Sequence, residues 1–116
     1  MEEFIKVMKA LSDTNRVKLL KLLQQRVMCV CEIQAACGIA QPTVSKHLKV
    51  LEEAGLVGHE KHGQWAHYFL ANGGQSSYAA TLLGNLRHWL DNDPQVRDLT
   101  EKSKGLHRKD LCGCCE

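Results

Sequence analysis

A mainly helical fold with one small β-hairpin is predicted by three observations. Apolar residues recur at helical spacing from Phe4 to Leu51 and again from Tyr78 to Leu90. Two short helical patterns meet at a tight break between Met28 and Leu56, punctuated by Gly38 and Pro42. After them the pattern changes: Leu56-Val57 and the aromatic-rich run Trp65 to Leu70 flank His62-Gly63, as the strands of a hairpin flank its turn.

Each element can be justified in order. Phe4, Met8 and Leu11 fall at i, i+4, i+7 and give a short amphipathic first helix. Asp13 is placed to cap the second, in which Val17, Leu19, Leu20, Leu22 and Leu23 make a wide apolar face for the core. The third helix carries Cys29-Val30-Cys31 at its front and Ile33, Ala36 and Cys37 on one face. Gly38 suits a left-handed helix end and Pro42 suits a first helical position. Val44, Leu48 and Leu51 then line one face of a fourth helix, which ends near Glu52-Glu53-Ala54-Gly55. Two short helices with facing apolar stripes and a tight turn form a helix-turn-helix. The outward face of the fourth helix presents Gln41, Thr43, Ser45, Lys46, His47 and Lys49, which suit phosphates and base edges in a major groove. The plain alternative is a helical hairpin with a solvated polar face. The coincidence of turn, proline and short polar donors favours DNA.

The hairpin that follows reads as the wing of a winged helix, with Lys61, His62 and Gln64 near its tip as candidate DNA-backbone contacts or as a solvated tip. His47, His59, His62 and His67 match no compact metal spacing and read as solvated or packing residues. Asn72-Gly73-Gly74 is a break. Tyr78, Leu82, Leu83, Leu86, Trp89 and Leu90 then repeat with helical spacing. So little domain remains to cover this helix that pairing with a second copy of the chain, together with the first helix, is expected. Asp91-Asn92-Asp93-Pro94 ends it. Residues 1–92 are thus expected to form the DNA-binding and dimerisation domain, and 93–116 a mobile, cysteine-containing tail.

A chain of 116 residues suits one domain with a modest core. The net charge of +2 is weakly basic, and the excess lies before Leu70 with the helix-turn-helix. The acidic start, Met1-Glu2-Glu3-Phe4, lacks the layout of a secretory signal, and no apolar run approaches a membrane span. A cytoplasmic location is expected. Six cysteines in a reducing compartment point to metal binding or redox chemistry before structural disulfides.

The run CVCEI, then QPTVSKHLKVLEEAGLV, then HGQWAHYFL resembles the ArsR/SmtB family of metal-responsive repressors, over roughly Phe4 to Leu90. The stretch ALSDTNRVKLL from Ala10 resembles the family's opening helices, with Asn15 a departure from the most usual residue. The cysteine-x-cysteine-acid-hydrophobe run is similar to the arsenic-responsive branch. The resemblance implies a homodimer that holds double-stranded operator DNA and releases it when trivalent arsenic or antimony binds cysteine thiolates.

Cys29 and Cys31 are the best candidate ligands, since soft thiolates select soft ions. On a regular helix, side chains two apart point to different sides. The pair converges only where the helix start is distorted, which suits a sensor. In the arsenic-responsive branch a third cysteine often follows the second by three residues; here that position is Gln34. Cys37 reads as a core residue before a ligand. Cys112, Cys114 and Cys115 leave open a third thiolate from the tail, an ion of their own, or scavenging. The paired Asp and His that other branches use for zinc are not present at the expected spacing, His88 with Asp91 being the nearest. The amino-terminal cysteines of the cadmium branch do not occur before Cys29. Both departures favour arsenite or antimonite as the inducer, with no organic cofactor. The alternatives are a repressor sensing thiol redox state or another soft metal on the same scaffold, and, more remotely, a thiol oxidoreductase using the C-terminal Cys-x-x-Cys. No helix follows that motif to depress a thiol pKa, and no other catalytic constellation accompanies it.

Overall fold

A computed structural model of the chain describes residues 1–63, 65–71 and 76–106. Helix α1 spans Glu2–Ala10, with Glu2 and Glu3 in the first turn, where carboxylates oppose the helix dipole. Helix α2 spans Thr14–Leu23 and is capped as the sequence predicts: the Asp13 Oδ1 accepts from the backbone N–H groups of Asn15 (2.8 Å) and Arg16 (3.2 Å). Leu19, Leu20, Leu22 and Leu23 are all buried, so the second half of α2 is the centre of the core.

A two-residue strand β1 (Met28–Cys29) leads into α3 (Val30–Cys37), and α4 runs Gln41–Glu53. Gly38 ends α3 at φ 71°, a left-handed conformation that costs glycine nothing, and its N–H closes on the Gln34 carbonyl at 2.8 Å. Pro42 sits in the first turn of α4. Ile33, Val44, Leu48 and Leu51 are fully buried, and burying a side chain of that size stabilises by about 1.5–3 kcal/mol. The helix-turn-helix is therefore anchored on α2 by the apolar stripes that the sequence displays.

The wing is formed by β2 (Val57–His62) and β3 (Trp65–Leu70), paired antiparallel from Val57–Leu70 to His62–Trp65. The predicted hairpin is part of a three-stranded sheet in the order β1-β3-β2, with Met28 opposite Tyr68 and Cys29 opposite His67. Two residues are too few to show a strand period, which is why β1 is silent in the sequence.

Helix α5 covers Ser77–Leu86 and stops four residues short of Leu90. The buried Lys21 ammonium lies at its end, donating to the Leu86 carbonyl and to Asp91 Oδ1, each at 2.8 Å. Leu83 and Leu86 are buried within the chain, whereas Tyr78, Trp89 and Leu90 are exposed. Phe4 and Ile5 of α1 are exposed too, and the Phe4 and Tyr78 rings meet edge to face with centroids 5.4 Å apart. Of the Phe4-Met8-Leu11 stripe, Leu11 packs against the core and Met8 is half-buried, while the fully buried residues of α1 are Val7 and Ala10.

Within the described residues, 93–106 differ from the expected mobile tail. Pro94–Lys104 forms helix α6, capped by Asp93, whose Oδ1 accepts from the N–H groups of Gln95 and Val96. Val96, Leu99 and Ser103 are buried, and α6 packs on α2 and α3. Three small contacts spaced one turn apart suffice to seat a helix whose other positions are polar. Among the described residues no helix is long and apolar enough to cross a membrane.

Candidate thiol site and nucleic-acid interface

Cys29 does not lie on the helix, as the sequence suggests, but at its N-cap, with extended φ −89° and ψ 168°. Cys31 is in the first turn. The change of backbone direction between strand and helix brings the two together: Cys31 packs against the buried Cys29. The distortion that convergence requires is therefore built into the fold as a strand-to-helix junction. Cys31 and Cys37 are thiols, and the Cys29 sulfur is disulfide-bonded. Burial pushes the Cys31 thiol up, opposed by a hydrogen bond from its own backbone and reinforced by the Glu32 carboxylate. Cys37 is half-buried against the core, and burial pushes its thiol up to about 11, with Lys18 pulling the other way. Cys112, Cys114 and Cys115 lie outside the described residues. Among the described residues, no group of three or more His, Cys, Asp and Glu side chains is arranged to hold a metal ion.

Glu32 has a part that sequence reasoning missed. Its side chain is 1% exposed; Oε1 accepts from the Cys29 N–H at 3.1 Å and Oε2 pairs with Arg26 Nη1. Arg26 Nη2 also donates to the carbonyls of Ser103 and Leu106, both at 3.3 Å. The start of α3, where the two cysteines meet, is thereby tied to the end of α6. The signal was available: a glutamate three residues after the N-cap is one half of a capping box, here with cysteine in the place of serine or threonine.

An open groove of about 580 Å³ runs from Cys31 past Gln34 and Gly38 to Ala40 and Gln41. It joins the thiol junction to the first residue of α4. Along α4 the residues Gln41, Thr43, Ser45, Lys46 and Lys49 are exposed, opposite the buried Val44, Leu48 and Leu51. Their solvent-facing donors and cations suit a phosphate backbone and base edges. His47 is only half-exposed, and its Nδ1 meets Arg16 Nη1 at 3.5 Å. On the wing, Lys61 and His62 are exposed near Gly63 (φ 68°), with His62 Nε2 3.8 Å from Glu60. Gln64 lies outside the described residues. Of the other described histidines, His59 is exposed, bonds Glu52 at 2.7 Å and lies near the Tyr68 ring, His67 is buried with its ring against His62, and His88 is exposed.

Comparison with known proteins agrees with this arrangement. The family described as bacterial regulatory protein, arsR family, matches residues 13–58, from the α2 cap to the first wing strand. An HTH-type transcriptional regulator of Methanocaldococcus jannaschii is 39% identical over 72 residues, covering 61% of this chain and 81% of that one. The arsenical resistance operon repressor of Escherichia coli is 38% identical over 68 residues, and the chain spans 58% of its length. Among solved structures, a homodimeric winged helix-turn-helix DNA-binding domain from Mycobacterium bovis, described as a possible ArsR-family regulator, superposes with a TM-score of 0.65 at 28% identity, over 78% of this chain and 81% of that one. The matched residues take in the α2 cap, the helix-turn-helix and the start of the wing, and the chain belongs to the arsR family of bacterial regulatory proteins, DNA-binding transcriptional regulators.

Proposed function

We propose that the chain is an arsenite- or antimonite-responsive repressor that binds operator DNA as a homodimer and releases it when the metalloid binds Cys29 and Cys31. The observation that carries this reading is the contact between those two cysteines at the strand-to-helix junction, one groove away from Gln41. Thiols bind trivalent arsenic by condensation: each S–H replaces one hydroxyl of arsenite, an As–S bond forms and water leaves. No oxidation state changes. Once the Cys29 disulfide is reduced, two cysteine side chains in contact suit that chemistry, and a third is sought among Cys37, Cys112, Cys114 and Cys115. Burial favours the protonated Cys37 thiol, which counts against it as that third ligand. That relatives of similar sequence are arsenical resistance repressors supports the choice of ion.

In this reading Gln41, Thr43, Ser45, Lys46, His47 and Lys49 face the major groove, and Lys61, His62 and Gln64 touch the backbone from the wing. Residues 1–92 carry DNA binding and dimerisation, with α6 laid across them. The dimer contact uses the exposed Phe4, Ile5, Tyr78, Trp89 and Leu90, and two α4 helices then meet half-sites about one helical turn apart. The homodimeric state of the Mycobacterium bovis domain supports this assembly.

A second reading, a thiol redox-sensing repressor, is favoured by one observation: the Cys29 sulfur is engaged in a disulfide. The same assay separates the two. Fluorescence anisotropy is followed with a duplex selected from a randomised pool by the reduced wild-type protein. Arsenite should release that duplex from wild type and not from Cys29→Ser/Cys31→Ser, which should still fold and bind. Release by peroxide, with no mass gain under arsenite, would overturn the metalloid reading in favour of the redox one. Deleting Lys109 to Glu116 tests the source of the third sulfur: release should persist, at higher arsenite if a tail thiolate completes the site.

A further inference from the structure

Arg16 makes contacts that neither the cap of α2 nor the core requires. Its Nε donates to the Ala10 carbonyl at 2.8 Å and its Nη2 to the Lys9 carbonyl at 3.0 Å, so the guanidinium closes the end of α1. Its backbone N–H is held by Asp13 at 3.2 Å. With Nε and Nη2 both bonded, the planar fork has little freedom, and its remaining arm, Nη1, is set 3.5 Å from Nδ1 of His47, two turns into α4. That distance is at the long end of the hydrogen-bonding range. The two shorter bonds of the same rigid plane keep the arm there.

The chemistry of the pair has one consistent assignment. A guanidinium has five donors and no acceptor, and it stays protonated. The nitrogen that it faces must therefore offer a lone pair. In a neutral imidazole that places the ring's single proton on Nε2, across the ring from Nδ1. A proton on Nδ1 would set donor against donor.

We infer that Arg16 is a positioning residue for DNA reading: it fixes His47 as the Nε2–H tautomer, so that the ring acts as a hydrogen-bond donor. This rests on the proposal that α4 faces DNA. The matching groups are acceptors: guanine N7 and O6, adenine N7, thymine O4, or a phosphate oxygen. The role also links the recognition helix to the end of α1, because the guanidinium that orients His47 is seated on α1 carbonyls.

The tautomer is read directly from long-range proton–nitrogen correlation spectra of ¹⁵N-labelled, DNA-free, full-length protein above pH 8. Wild type should show His47 with its proton on Nε2, and Arg16→Met should shift that ring toward a mixture. A wild-type ring protonated on Nδ1 overturns the inference, and so does an unchanged Nε2–H preference in Arg16→Met. If Arg16→Met does not fold, the wild-type spectrum still decides. In the second arm, affinity is measured for a duplex selected from a randomised pool by wild type. His47→Gln, whose amide nitrogen reaches the Nε2 level, should bind within about threefold of wild type, whereas His47→Asn, which reaches only Nδ1, should lose about tenfold, one hydrogen bond's worth. Equal affinity for His47→Asn and wild type overturns the donor role. If wild type selects no duplex at all, the DNA-facing reading of α4 fails, while the spectra still report what Arg16 does to His47.

Discussion

The Glu32 carboxylate, 1% exposed, accepts a hydrogen bond from the backbone N–H of Cys29 at 3.1 Å. Arg26, itself 39% exposed, is the partner that makes the buried charge tolerable. The two halves of the pair should therefore respond unequally to mutation. Arg26→Ala leaves a buried carboxylate without its cation and removes two bonds to the end of α6; it should cost about 2–3 kcal/mol, at the low side for a buried pair because one partner meets water. Glu32→Gln keeps an oxygen for the Cys29 amide and should cost about 1 kcal/mol. Urea unfolding of both variants checks the order. An equal or larger loss in Glu32→Gln would show that Arg26 is not what makes the buried carboxylate tolerable.

The proposed subunit contact predicts a different contrast. Ile5 and Tyr78 are 40% and 42% exposed, whereas Leu83 is 8% exposed. Ile5→Glu or Tyr78→Glu should leave the monomer folded, since each glutamate can stay in water, but should weaken association and with it DNA binding. Leu83→Glu places an unpaired carboxylate in the core at a cost of several kcal/mol and should unfold the chain. Analytical ultracentrifugation with circular dichroism distinguishes these outcomes. Dimers of undiminished affinity from both surface variants would move the interface elsewhere.

These contrasts show where the sequence spoke and where it was silent. Val44, Leu48 and Leu51 declare their face by spacing alone, and Asp13 and Gly38 declare their helix ends by chemistry. The post-wing stripe was read correctly as apolar, but spacing cannot say whether a leucine is covered by its own chain or by another. Leu83 and Leu86 turned inward, while Trp89 and Leu90 fell past a helix end set by Lys21, distant in sequence. Strand β1 was invisible because its pairing partner, β3, lies some forty residues further on. Its formation is what moved Cys29 off the helix. Helix α6 was missed because Val96, Leu99 and Ser103 are too few to outweigh the polar majority of the segment.

Cys37 supplies a pH dependence of definite sign. Its thiol titrates near 9.0 in an ordinary setting and at about 11 in the fold, pushed up by burial. The folded state therefore holds the proton more tightly than the unfolded one. That preference has no effect on stability well below pH 9, and it subtracts from stability as pH rises toward 11, because the unfolded thiol ionises first. Cys37→Ala should lose some packing at pH 7 yet show a shallower fall in urea midpoint between pH 8.5 and 10.5 than wild type. Parallel curves would mean that Cys37 titrates alike in both states. At neutral pH the same burial should make Cys37 slow toward iodoacetamide, as peptide mapping of briefly treated protein would show.

The proposed switch is bound by reciprocity. Arsenite that gathers Cys29 and Cys31 must act on the junction between β1 and α3, where Glu32 holds the cap, and the groove from Cys31 ends at Gln41. Any shift of α3 reaches α4 through Ile33, Val44 and Leu48, which are buried in one cluster and have no slack to absorb it. Two recognition helices must fit the operator at once, so a displacement too small to unfold either subunit still spoils the match. A coupling of about 3 kcal/mol would weaken DNA binding by over a hundredfold. By linkage, the protein bound to its selected duplex must then bind arsenite weaker by the same factor. Arsenite titrations of the reduced protein, with and without saturating duplex, should give two affinities whose ratio equals the drop in DNA affinity between the arsenite-bound and arsenite-free protein. Cys29→Ser/Cys31→Ser should abolish both effects together. Release of DNA without the reciprocal loss of arsenite affinity would show that the metalloid displaces operator by another route, such as aggregation of the modified protein, and would remove the junction from the mechanism.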